Sequence, residues 1–141
     1  MTQDLLDFVD LDAMPSGPPS IPAGDYHLKV VDVEARNTQT GGGAYLSYRA
    51  VVQVGPHQGK SIFGMWTLKN SDGKQDSTWR TKADFKRLGV EGKLTTADLI
   101  EQLRGVEGIA KVSETPRRDK DNTIPDENDK ENRVRQWIRA A

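Results

Sequence analysis

Residues 44–68 read AYLSYRAVVQVGPHQGKSIFGMWTL, two apolar stretches around a short polar segment. That segment, GPHQGKS at 55–61, has the outline of a nucleotide-binding loop, and its reading decides the fold. A phosphate-binding loop puts four residues between its glycines and opens a helix whose first amides face the phosphates. Here three residues separate Gly55 from Gly59, and Ser-Ile-Phe-Gly-Met-Trp-Thr-Leu follows with the apolar, aromatic character of a strand. Two strands joined through Gly and Pro make a hairpin. The nucleotide reading fails.

Working outward, the first of these strands alternates cleanly. Leu46, Tyr48, Ala50, Val52 and Val54 fall on one face, the expected core; Tyr45, Ser47, Arg49, Val51 and Gln53 fall on the other. Upstream, YHLKVVDVEA is rich in β-branched residues but alternates only roughly, which predicts a strand with a bulge. NTQTGGG and NSDGKQDS are polar loops. STWRTKADFKRLGV predicts a helix stopped by Gly89, with Trp79, Ala83, Phe85 and Leu88 inward and Arg80, Lys82, Lys86 and Arg87 in solvent. TTADLIEQLRG predicts a second short helix, capped by Thr95 or Thr96 and burying Leu99, Ile100 and Leu103. GIAKVSET is a fourth strand, residues 116–131 a long charged loop expected to be mobile, and NRVRQWIRAA a fifth strand. Five strands with a helical connection between the third and fourth is the element order of an OB-fold, a mainly β Greek-key barrel.

Composition sets limits on what that barrel does. The chain has 141 residues, enough for one domain, and a mean hydropathy of −0.70. It holds no cysteine, which excludes disulfides and thiolate metal sites and fits an intracellular home. No apolar run approaches a membrane span. The net charge of −1 hides an asymmetry: all 20 basic residues lie from Lys29 onward, while Asp4, Asp7, Asp10, Asp12 and Asp25 precede them. We therefore divide the chain into an acidic, Pro/Gly-rich flexible leader at 1–20 and a basic domain at 21–141, a balance suited to an anionic partner. The leader's LLDFVDLDAM reads either as a short element packed on the body or as a peptide that docks on a partner or competes for the basic groove.

In a regular fifth strand, Arg133, Arg135, Trp137 and Arg139 share one face. Cations to neutralise phosphates beside a ring on which a base stacks are what single-stranded nucleic acid asks for. The other readings of this segment are a frayed, solvated tail or a helix whose Trp packs on the core. Tyr45, Arg49, Lys60, Phe63, Trp66 and Lys69 on or beside the hairpin add to the pattern. Phe63 and Trp66 are three positions apart, so one belongs to the core and the other to the outer face. His27 and His57 have no metal-ligand spacing, and no nucleophile motif occurs; no catalytic residue, metal or cofactor is expected.

The stretches IPAGDYHLKVVDVE, GGGAYLSYRAVVQVGPHQGKSIFGMW, FKRLGV and NRVRQW resemble a family of small phage-encoded single-stranded-DNA-binding proteins with an OB-fold. The resemblance spans most of residues 21–138. It implies non-catalytic, largely sequence-independent binding and protection of single-stranded DNA during phage DNA replication or recombination, in the host bacterial cytoplasm. The composition of the acidic leader suggests that it recruits replication or recombination proteins or shields the groove, and a monomer or homodimer is expected. Many bacterial single-stranded-DNA-binding proteins end in an acidic tail, whereas this chain ends in basic RQWIRAA. From another class, the alternative is a protein-interaction module whose OB-like barrel docks on a replication or virion partner.

Overall fold

The computed structural model of the chain describes residues 19–37, 42–69 and 78–141. Its elements are β1 (Gly24–Asn37), β2 (Ala44–Val52), β3 (Ser61–Lys69), α1 (Thr78–Leu88), α2 (Thr96–Leu103), β4 (Glu107–Pro116) and β5 (Lys130–Ala140). The strands close into a barrel in the order β1-β2-β3-β5-β4, with β4 returning to β1. Every pairing is antiparallel except that of β3 with β5. This is the OB-like barrel the element order predicts, with both helices in the β3–β4 connection.

β1 makes closure possible because it serves two neighbours. Its N-terminal half pairs with β4 and its C-terminal half with β2, and the register with β2 shifts between Val30 and Asp32. The extra residue is a bulge, which bends the strand where VVDV breaks alternation. The β2–β3 connection is a turn: Gly55 and Gly59 have positive φ, and the Gly59 N–H donates to the Val52 carbonyl. Leu46, Tyr48, Ala50 and Val52 are buried as expected. Val54 is not, because β2 ends two residues earlier and Val54 belongs to the exposed turn.

The barrel's aromatic core is closed by α1. Tyr48 stacks on Trp66 with centroids 3.8 Å apart, and Phe85 meets the Trp66 ring edge-on at 5.0 Å. The Trp137 indole N–H donates to the Tyr48 hydroxyl over 3.1 Å. Asp84 then bridges two strands from the helix: one carboxylate oxygen accepts the Trp66 indole N–H (3.2 Å), the other the Trp137 backbone N–H (3.1 Å). Room for this cluster comes from Gly64, which pairs with Tyr48 across the sheet. A Cβ there would lie 2.3 Å from the Tyr48 Cζ and hydroxyl oxygen.

Two expectations need correction. On α1 the buried positions are Thr81, Asp84, Phe85 and Leu88, a regular helical stripe. At about 100° per residue, Trp79 lies on the opposite side of the helix from that stripe, and it is 61% exposed. On β5 the pairing with β4 slips twice: Val112 faces Val134, Lys111 faces Gln136, Ala110 faces Trp137 and Ile109 faces Arg139. Arg135 and Ile138 are thereby passed over, and each extra residue resets which face the next side chain takes. Trp137 turns inward to 0% exposure while Arg133, Arg135 and Arg139 stay outside. The charged β4–β5 loop carries hydrogen bonds of its own. Asp119 accepts the backbone N–H groups of Asp121 and Thr123 and the Thr123 hydroxyl, hydrogen bonds that hold its carboxyl below the ordinary range. The Arg117 N–H closes the loop on the Asp129 carbonyl.

Candidate nucleic-acid interface

The outer face of β2 and β3 carries what the core rejects. Strand parity sends Tyr45, Ser47 and Arg49 outward from β2, and Phe63 and Met65 outward from β3. Phe63 is 51% and Met65 57% exposed, large apolar surface left in solvent on a strand. Arg49 is the cross-strand partner of Phe63 on one side, and Arg133 of β5 is its partner on the other. A ring therefore lies between two guanidinium-bearing positions, one on each adjacent strand.

A cleft of about 390 Å³ on this face is lined by Tyr45, Phe63 and Met65, by Lys60, Arg117 and Arg133, and by the carboxylate Glu131. The cations of the cleft, and Arg49 beside it, have polar partners. Arg49 pairs with Asp32 at 2.8 Å and donates to the Ser61 hydroxyl. Arg117 reaches Asp129 and Glu131 at 3.5 and 3.3 Å, and Arg133 lies 3.7 Å from Glu131. The exposed Arg49–Asp32 pair is worth about 0–1 kcal/mol and orients its guanidinium at little cost to exchange for a phosphate, whereas the Arg117 pairs are part-buried. Lys60 donates to the Pro19 carbonyl. Desolvation, then the nearby charge of Arg117, lowers the Lys60 pKa.

The residues that lead out of the leader are tied to the same place. The side chain of Asn132, which also lines the cleft, accepts the Ile21 N–H and donates to the Ile21 carbonyl, at 2.9 and 2.8 Å. The Ser20 hydroxyl donates to Glu114. Residues 1–18, and with them the proposed role of the leader, lie outside the described residues.

A protein-family model described as "Protein of unknown function (DUF669)" matches residues 12–123, most of the chain. The chain belongs to the DUF669 family. None of the curated proteins compared with it matches. In this DUF669 protein the matched region takes in β1 to β4 and the cleft residues Tyr45, Lys60, Phe63 and Arg117.

Of the residues expected to contact DNA, Tyr45, Lys60, Phe63 and Arg133 come together in the cleft, with Arg49 beside Phe63. Lys69 is exposed at the end of β3 and Arg139 near the end of β5. Arg135 faces α1 instead, and donates to the Ser113 hydroxyl at 2.9 Å. Trp66 and Trp137 are no stacking platforms in this DUF669 fold: at 2% and 0% exposure they are core, sealed by Phe85 and Asp84. The open choice between Phe63 and Trp66 resolves with Phe63 outside. Met65 and Arg117 were missed. Met65 follows from the parity of Phe63, whereas Arg117 reaches the cleft only through the β4–β5 hairpin, which leaves no local signal.

Among the described residues, no group of His, Asp and Glu could hold a metal ion, and no helix is long and apolar enough to cross a membrane.

Proposed function

We propose that this DUF669 protein binds single-stranded DNA without catalysis and with little sequence preference, on the outer face of β2, β3 and the start of β5. The carrying observation is the cross-strand row Arg49–Phe63–Arg133, an exposed ring between two cations. Its position supports the reading, since the strand 2–3 face and the 1–2 and 4–5 loops are where OB-folds take oligonucleotides. Stacking and phosphate neutralisation accept any base, because every base has a π-face and every nucleotide a charge. The likeness to phage-encoded single-stranded-DNA-binding proteins supplies the setting: protection of exposed strands during phage replication or recombination in a bacterial host.

Anisotropy of a labelled oligo-dT against a duplex of equal length tests the reading. The single strand should bind and the duplex should not, with log affinity falling against log salt by about 0.7 per phosphate contacted. Phe63→Ala should weaken binding by about 1–3 kcal/mol, one lost stack. Charge reversal of Lys60 and Arg133 together should flatten the salt slope by about 1.4, two phosphates' worth. A slope of zero, or Phe63→Ala at full affinity, would exclude this surface.

Docking on a protein partner is the second reading, favoured by the exposed Met65 and by cleft arginines already paired with carboxylates. Absence of any oligonucleotide response would leave that reading in possession of the cleft. We further propose that the acidic leader acts at this site, either recruiting replication or recombination proteins or shielding the groove. Removing residues 1–18 spares the anchor at Pro19 to Ile21. Affinity at fixed salt should rise under shielding, and unchanged affinity rules shielding out.

A further inference from the structure

The chain has three tryptophans, and two of them are core. The third, Trp79, stands in the first turn of α1, turned away from the buried stripe and 61% exposed. Arg80 holds its guanidinium 5.3 Å from the centroid of the Trp79 ring. A second cleft, about 310 Å³, runs between α1 and β5 and is lined by Trp79, Arg80, Arg87, Arg135 and Gln136. The carboxylate in its lining is Asp84, already occupied by two N–H donors and 3.7 Å from Arg87. Arg80 and Arg135 meet no carboxylate among the described residues. Aromatic surface beside positive charge suits a base and its phosphate.

β5 connects the two clefts. Arg133 lines the Phe63 cleft and Arg135 the Trp79 cleft, both exposed and two residues apart, about 7 Å along a strand. The register slip that turns Trp137 inward comes after Arg133 and passes over Arg135, and both arginines are exposed.

We propose that Trp79, with Arg80 and Arg135, is a second stacking platform for the same single strand, whose path leaves the Phe63 cleft, crosses β5 and ends on α1. The proposal rests on the single-stranded-DNA reading above and adds a site to it. Because Trp66 and Trp137 are sealed, tryptophan quenching by an oligonucleotide reports on Trp79 alone. Oligo-dT of about 6 and about 20 nucleotides, bracketing the range of OB-fold site sizes, is titrated against wild type, Trp79→Phe, Trp79→Ala and Arg135→Glu, by intrinsic fluorescence and by anisotropy of the labelled oligonucleotide. The longer oligonucleotide should quench wild type. Trp79→Phe should lose the quenching yet still bind. Trp79→Ala and Arg135→Glu should bind the longer oligonucleotide at least about fivefold more weakly, with the shorter one little changed. Trp79 is largely exposed and not a member of the core cluster, so the melting temperature of its variants should hold. Binding by anisotropy without quenching, and at wild-type affinity in Trp79→Ala, overturns the platform and leaves the Phe63 surface standing. No binding of wild type by anisotropy overturns both.

Discussion

Replacing Asp84 with alanine should destabilise the protein by about 3–5 kcal/mol, because it orphans two buried donors at once, each costing roughly 1–3 kcal/mol. The Trp66 indole N–H and the Trp137 backbone N–H both end on this carboxylate. Arg87 would also lose its partner, although it keeps the Trp137 carbonyl. Urea unfolding gives the number; a loss below about 1 kcal/mol, one ordinary hydrogen bond, would mean that α1 does not close the barrel through this residue.

The same carboxylate has a pH signature. Burial raises its pKa above the ordinary value, and the Trp137 and Trp66 hydrogen bonds and the charge of Arg87 offset only part of that. The folded state thus holds the proton more tightly than the unfolded chain. The proton-linked part of Asp84's contribution to stability is fully present below the unfolded pKa, about 4, and is lost as pH rises through the raised folded value, while its hydrogen bonds to Trp66 and Trp137 remain. Subtracting Asp84→Asn, which cannot titrate there, from wild type should leave a stability difference that declines with pH across that interval. A flat difference would contradict it.

Gly64→Ala should cost about 3 kcal/mol, at the upper end of ordinary overpacking, and lower the melting temperature by roughly 10 °C. The new Cβ would stand 2.3 Å from two atoms of the Tyr48 side chain and 2.9 Å from a third. Tyr48 has nowhere to retreat: its ring is stacked on Trp66 and its hydroxyl accepts the Trp137 indole. Burial also drives the Tyr48 phenol pKa far up, so it stays protonated throughout the accessible range. An unchanged melting temperature would show that the stack yields, and that the core is looser than its distances imply.

Both predictions concern a cluster that the sequence reading treated in part as a DNA surface. The misreading has a specific origin. Alternation is a dependable guide on β2, where pairing with β3 stays in register through Leu46, Tyr48 and Ala50, and those residues are core as expected. On β5 the same rule fails because two register slips against β4 interrupt it. Nothing in NRVRQWIRAA marks where β4 will skip a residue. The α1 stripe failed differently. Trp79 and Ala83 share one side of a helix while Phe85 and Leu88 share the other, and the apolar residues alone do not say which side is buried. The polar pair Thr81 and Asp84 decides, because the Thr81 hydroxyl donates to the Thr67 carbonyl and Asp84 accepts from two strands.

Local pattern by itself determined the strand and helix order, the bulge in β1, the turn at 55–61 and hence an OB-like barrel without a phosphate-binding loop. These follow from side-chain periodicity and glycine placement, which act over a few residues. Tertiary structure alone decided which rings are exposed. Tryptophan suits a core and a stacking platform equally well, and the choice depends on a neighbouring strand's register and on a carboxylate reaching across from α1. Those distant partners put Trp66 and Trp137 inside, and left Phe63 and Trp79 in solvent beside the cations.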